Sequence, residues 1–315
     1  MQVAGSKRAR YKLATYQTKD GPRAGLVVGD DVFDAAKVTG KPAYAMVAGI
    51  LADWKSAERA LRNAAGGAAA MRGKRQPLAK TKLLAPLTHP PTIFCAGANY
   101  ADHAAAMARN QGQPEPPDPH DQGLKPWFFI KAGRTIADPG ATIKATDYAR
   151  ELDWEIELAA IIGRPAKDVP EDKALSYVAG YTVSNDLSAR DRGRRPGVDA
   201  TSFFKMDWTK HKSFDGSCPS GPWIVPAGDI DDPQQLALKL WVNGVLKQNS
   251  NTNQMLFTLA EQIAQLSINM TLHPGDLILT GTPSGTGAES GEFLKSGDVV
   301  KVAIEDIGEF ENKIA

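Results

Sequence analysis

The sequence predicts an α+β protein dominated by β-structure, with a small α+β region in front of a larger β-rich one. Three observations carry this expectation. From Thr92 onward the chain breaks into many short apolar runs punctuated by Gly and Pro, with one long helical pattern among them. Before that point lie a hairpin-like pair and a single amphipathic stretch. The 315 residues, 42% apolar and 23% charged, are ordinary for a folded chain holding one large domain or a large and a small one.

Taken in order, the basic start Met1–Arg10 lacks an apolar signal core and reads as a frayed end. Gly25–Val28, a Gly29-Asp30-Asp31 turn and Val32–Ala35 read as a hairpin. Residues 43–65 read as one amphipathic helix, with Met46, Val47, Ile50, Leu51, Trp54 and Leu61 on one side and Gly66-Gly67 near its end. The Lys/Arg/Pro-rich stretch to Pro91 reads as a linker, which divides the chain into a small domain at 1–80 and a large one at 92–315. Strands are expected at Ile93–Gly97, Trp127–Lys131, Leu158–Ile162, Gly180–Ser184, Trp223–Val225, Leu236–Val242, Leu277–Thr280 and Val299–Ile304, and a helix at Met255–Ile268. Gln111–Pro126 carries Pro114, Pro116, Pro117, Pro119 and Pro126, so it cannot be regular and reads as a lid or binding loop.

Several function classes lose support at once. The net charge of +1 points to neither nucleic acid nor an anionic membrane. No apolar run approaches the ~20 residues that cross a bilayer. Cys95 and Cys218 read as incidental thiols of a reduced, cytoplasmic protein rather than as a disulfide.

The chemistry concentrates in Asp153-Trp154-Glu155-Ile156-Glu157-Leu158-Ala159-Ala160-Ile161-Ile162. Residues i and i+2 of a strand share a face, so Glu155 and Glu157 project together from an element otherwise apolar enough to be buried. Two carboxylates ~5 Å apart repel by about 1–3 kcal/mol at an effective dielectric of ~20 to 60, and burial adds desolvation. A cation between them, or a proton on one, relieves this. Asp186 ends the next strand-like run, Val178–Asp186. Three hard oxygen donors on two strands suit Mg²⁺, Mn²⁺ or Ca²⁺, not zinc or copper.

A family resemblance rests on Gly97-Ala98-Asn99-Tyr100-Ala101-Asp102-His103, Phe128-Phe129-Ile130-Lys131, the Asp153–Leu158 segment, Gly180–Asp191, Lys212-Ser213-Phe214-Asp215, Val242-Asn243-Gly244 and Pro274–Pro283. In this order they resemble the fumarylacetoacetate hydrolase family, over roughly residues 93–312. The resemblance implies a mixed β-sandwich or roll core, usually in homodimers, with a metal on Glu155, Glu157 and Asp186. It implies small 2-oxo acid substrates, with a carbonyl often at the 4-position, and chemistry through a stabilised enolate.

The same resemblance implies roles for four more side chains. His103 stands where the family keeps its lid histidine, and an imidazole suits proton abstraction near neutral pH. Lys212 matches the active-site lysine that hydrogen-bonds a reacting carbonyl or water; one more surface lysine is the bland alternative. Arg190 suits a substrate carboxylate, with a salt bridge to Asp191 or a neighbour as the alternative. Thr282 lies in a turn at the site mouth, as a substrate contact or as part of the turn. Lys131 stays unassigned. Its bland reading is an ion pair with Glu155 or Glu157.

One departure matters. The family's hydrolases commonly carry a glutamate three residues after the histidine, and this chain has Ala106. Asp102 would point elsewhere, so an acid from another segment would have to replace it. Three functions follow: a metal-dependent hydrolase of a 2,4-dioxo acid, a 2-oxo acid decarboxylase or 2-hydroxymuconate-type isomerase on the same site, and a metal-binding protein without catalysis. Ala106 raises the second. Retention of the acid trio and Lys212 disfavours the third.

Overall fold

The computed structural model describes residues 10–68, 75–199 and 201–315; the expected frayed start lies outside them apart from Arg10. The frame is a long mixed sheet. Its strands run in the order Arg75–Pro77, Asp31–Asp34, Gly21–Val28, Lys12–Thr18, Cys218–Pro226, Val178–Asn185, Ile156–Ile162, Leu277–Leu279, Ile93–Ala96 and Phe128–Lys131. A second sheet orders Val245–Asn251, Ala237–Val242, Val299–Ile304, Gly308–Ile314 and Thr142–Ile143.

The two central strands, Ile156–Ile162 and Val178–Asn185, are buried at every residue. Their near-continuous apolar sequence has a simple cause, because both faces of the sheet are covered. Ile156, Leu158, Ala160 and Ile162 pack with Leu238, Leu240, Val300 and Val302 of the second sheet. Ala159 and Ile161, pointing the other way, pack with Ile50, Leu51 and Leu61 of the N-terminal helices. The result is a sandwich with a helical layer on its outer face, the β-dominated α+β architecture expected.

The hairpin forms as expected: Gly21–Val28 pairs antiparallel with Asp31–Asp34 around Gly29, whose φ of 55° suits a glycine. Lys12–Thr18 enters the long sheet through Leu13 opposite Ile224. Residues before 80 therefore share backbone pairing and an apolar cluster with the rest of the chain.

Residues 43–65 differ from the single helix expected. They form a 3₁₀ turn at Pro42–Ala45 and helices at Val47–Ala52 and Trp54–Gly66, separated by non-helical Met46 and Asp53. The Tyr44 hydroxyl donates to Asp53 Oδ2 at 2.6 Å and ties the first piece to the last junction. The breaks let Ile50, Leu51, Ala57 and Leu61 all reach one cluster. The later helix spans Leu259–Asn269, four residues in from Met255 at its start, because Thr258 and Glu261 make a reciprocal cap. Val245–Asn251 and Gly308–Ile314 are strands that their polar composition concealed. Gln111–Pro126 is irregular apart from one 3₁₀ turn at Pro119–Gln122. Cys95 and Cys218 are both buried free thiols.

Candidate active site

Glu155 immediately precedes the Ile156–Ile162 strand, Glu157 lies inside it, and Asp186 follows the neighbouring strand, where Ile156 stands opposite Asn185. Pairing in this register brings the three carboxylates to one end of the sheet. All are buried, and one oxygen of each lies within 4.8 Å of the others. Among the described residues no other group of three His, Cys, Asp or Glu side chains meets in this way.

Three cations answer this charge. Lys131 is wholly buried; its ammonium donates to Asp186 and to the carbonyls of Leu187 (3.2 Å) and Ser217 (2.9 Å), using all three protons. Lys212 donates to Glu155 Oε2 (2.7 Å) and Asp186 Oδ2 (2.6 Å). Arg190 donates to Asp153 Oδ2 (2.8 Å) and to Glu155. Lys131 thus serves Asp186 rather than either glutamate, and Arg190 pairs with Asp153 and Glu155 rather than Asp191. Asp191 instead accepts the backbone N–H groups of Arg150 and Glu151.

Asp153, Glu155, Glu157 and Asp186 number one more than Lys131, Lys212 and Arg190, and the unpaired member is Glu157. No described cation lies within ion-pair distance of it; its one close donor is the Gly281 backbone N–H, at 2.6 Å. Burial, then the neighbouring Asp186 and Glu155 charges, push the Glu157 carboxyl well above the usual range. Glu155 also meets the cost of burial, but Lys212 and Arg190 outweigh it and hold the carboxyl well below that range. Burial likewise opposes the Lys212 ammonium, and Asp186 and Glu155 reverse the effect and raise its pKa. An all-oxygen trio with one uncompensated negative charge fits a hard divalent cation.

His103 sits near the start of the Ala101–Asn110 helix. Its Nδ1 lies 2.5 Å from Glu289 Oε1, across 186 residues of sequence. Glu289 belongs to a one-turn helix, Gly287–Ser290, and its other oxygen accepts the Gly285 N–H at 2.8 Å. Asp153 holds the start of this helix, accepting the N–H groups of Gly287 (2.5 Å) and Ala288 (3.0 Å) while paired with Arg190. Asn110 donates to the Glu289 carbonyl at 2.5 Å and fastens the two helices together. Asp102 is turned away as expected, accepting from Ser250 Oγ at 2.6 Å and from the His103 N–H at 2.7 Å. The acid missing at position 106 therefore has a counterpart from another segment.

A cavity of about 190 Å³, roughly the space of six waters, is lined by His103, Glu155, Glu157, Asp186, Lys212 and Thr282. Arg190 also reaches it, so every side chain to which the family resemblance gave a role lines one cavity, and the unassigned Lys131 does not. A larger cleft of about 650 Å³ beside Tyr11 and the Ile304–Gly308 turn holds no comparable acid cluster. The Thr282 hydroxyl donates to the Ile156 carbonyl (2.9 Å) and accepts from Gln248 Nε2 (2.9 Å), so the turn is pinned. Gly97 makes the other wall possible: a Cβ there would meet the Trp127 ring at 2.0 Å. Trp127 packs edge-on against Trp208, which stacks on Phe129. Glu289, Asp153, Gln248 and this aromatic wall escaped sequence reasoning. None has a local pattern that announces it.

The family model for the fumarylacetoacetate hydrolase C-terminal region matches residues 92–315. The chain belongs to the fumarylacetoacetate hydrolase family. It is 41% identical over 234 residues to a mitochondrial oxaloacetate tautomerase, fahd2, of Xenopus laevis, covering 74% of this chain and 68% of that protein. Among solved structures it resembles maleylpyruvate hydrolase of Sphingobium sp. SYK-6 in complex with manganese(II) and pyruvate. The TM-score is 0.71 at 29% identity, over 96% of this chain and 98% of the other. It also resembles 5-carboxymethyl-2-hydroxymuconate delta-isomerase of Mycobacterium smegmatis, with a TM-score of 0.70 at 31% identity, over 96% and 99%. Family enzymes related to this chain thus include a tautomerase, a hydrolase and an isomerase.

Proposed function

We propose that the protein is a dication-dependent enzyme of small 2-oxo acids, and that its reaction is keto–enol tautomerisation of an oxaloacetate-type acid. The observation that carries this reading is the acid–base pair His103–Glu289, whose imidazole lines the same small cavity as the carboxylate trio. The 41% identity to an oxaloacetate tautomerase supports it.

Glu155, Glu157 and Asp186 would hold Mg²⁺ or Mn²⁺, and the donor set also admits Ca²⁺. When bound, the ion supplies Lewis-acid stabilisation of the negative charge that develops on the keto oxygen. His103 takes a proton from the carbon beside that carbonyl and hands it to the enolate oxygen, which completes the enol and restores the base, while Glu289 orients the ring and balances the imidazolium between the two transfers. Lys212 directs its ammonium at the developing oxyanion, while Arg190 and Thr282 bound the place of the substrate carboxylate. Trp127, Phe129 and Trp208 keep bulk water from the enolate.

A second reading has its own support. The same His103–Glu289 pair is suited to activating a water for attack on the distal carbonyl of an acylpyruvate, and the glutamate replaced by Ala106 no longer argues against a C–C hydrolase. Both readings are tested by incubating the protein with Mg²⁺ or Mn²⁺ and a panel of 2-oxo acids. Accelerated decay of the oxaloacetate enol absorbance without pyruvate release supports the tautomerase. Loss of acylpyruvate absorbance with stoichiometric pyruvate supports the hydrolase. Turnover of neither rejects both and favours a non-catalytic metal protein.

A further inference from the structure

The segment Gln111–Pro126 joins two parts of the cavity. It leaves the end of the Ala101–Asn110 helix, which carries His103, and runs to Trp127 in the aromatic wall. Its five prolines and lone 3₁₀ turn at Pro119–Gln122 give it no ladder of its own. Its backbone bonds are local, such as the Leu124 N–H to the Pro119 carbonyl at 3.0 Å. Among the described residues, the one hydrogen bond from residues 114–126 to another element is made by His120.

The His120 ring lies between two carboxylates. Nδ1 is 2.8 Å from Asp118 Oδ1, and Nε2 is 2.7 Å from Glu261 Oε1 on the Leu259–Asn269 helix. These are the charged groups that face the ring; Asp121, next in the turn, makes no ion pair with it. A neutral imidazole has one N–H and can serve only one carboxylate, whereas the imidazolium serves both. The hydrogen bonds to Glu261, then to Asp118, hold the pKa above the ordinary 6.5. The far anchor is firm and belongs to the cavity. Glu261 caps its helix through the Thr258 N–H at 2.8 Å. The ring also packs on Phe257, centroids 4.8 Å apart, and the Phe257 backbone exchanges two hydrogen bonds with the side chain of Asn99, which lines the cavity.

We infer that His120 is a pH-sensitive latch: its imidazolium fastens the 111–126 strap to Glu261 and so steadies the cavity wall at Trp127, and the strap lets go as the ring loses its proton. The latch is complete below about 6.5 and is lost as pH rises through the raised pKa. The inference goes beyond the 2-oxo acid reading, because it concerns the closure of the cavity whichever acid enters.

The test places a nitroxide on Gln122→Cys in the full chain; the native Cys95 and Cys218 are buried, so the label is selective. The ring is 43% exposed and water screens both pairs, so the change read is modest: the ratio of immobile to mobile label is about threefold higher at pH 6 than at pH 9. His120→Phe keeps a ring against Phe257 without the charge, and its label is mobile at both pH values. Glu261→Gln keeps the helix cap and weakens the pH response. A label equally mobile at pH 6 and pH 9, or a response that survives His120→Phe, would overturn the latch. For the cavity, KM for oxaloacetate with Mg²⁺ is about threefold higher in His120→Phe than in wild type at pH 6 and about equal at pH 9. A ratio that does not change with pH would overturn the link to the cavity wall. If wild type turns over no 2-oxo acid, that reading of the site fails by itself, and the label still decides the latch.

Discussion

Removing the Glu289 carboxylate isolates the contribution of the acid that stands in for the family glutamate. In Glu289→Ala the imidazole of His103 loses a partner at 2.5 Å, in a pair whose side chains are only 16% and 11% exposed, so solvent screens the interaction weakly. A hydrogen bond to a charged group contributes about 1.5–3 kcal/mol. At about 1.4 kcal/mol per factor of ten, kcat on the preferred 2-oxo acid falls about 10- to 150-fold. Glu289 also accepts the Gly285 N–H, so Tm is measured alongside to separate a loosened turn from a weakened base. A second change sharpens the test. Ala106 lies one helical turn beyond His103 and borders the same cleft as Glu289. Ala106→Glu in the Glu289→Ala background returns a carboxylate to the same cleft and recovers about tenfold of the lost kcat. A folded Glu289→Ala protein with kcat within threefold of wild type would refute the reasoning, and so would a double variant no better than the single one.

Other outcomes follow from the buried charges. Lys131→Met strips Asp186 of its buried ammonium and costs about 3–5 kcal/mol of stability; a denaturant midpoint implying less than 1 kcal/mol would contradict the ion pair. Mg²⁺ or Mn²⁺ at a hundredfold excess over Kd stabilises the wild type by about 2.7 kcal/mol, read as a rise in Tm, and Glu157→Gln blunts the rise; an undiminished response would remove Glu157 from the ligand set. For His211 the folded pKa of about 3 lies below the ordinary 6.5. The stability that depends on a neutral ring is therefore full above about 6.5 and is lost as pH falls towards 3. His211→Phe removes that loss and moves the acid-unfolding midpoint, followed by circular dichroism, to lower pH; an unchanged midpoint would speak against a buried neutral imidazole.

The sequence by itself determined the middle of the sheet and the acid trio. Both follow from short-range periodicity: alternate residues of Ile156–Ile162 share a face, and a strand apolar on both faces must be covered on both, so Glu155 and Glu157 project together from a buried element. His103, Lys212, Arg190 and Thr282 were legible through the order of their motifs, and all face the cavity. Only the tertiary structure decided how they are partnered. Glu289 reaches His103 across 186 residues, Lys131 reaches Asp186 across 55, and Asp153 anchors the helix that carries Glu289. The breaks at Met46 and Asp53, and the polar strand Val245–Asn251 that brings Gln248 to Thr282, were equally hidden. The physical reason is range. Strand and helix periods are set by neighbours along the chain, whereas the charge balance of a buried site is set by whichever segments close packing presses together.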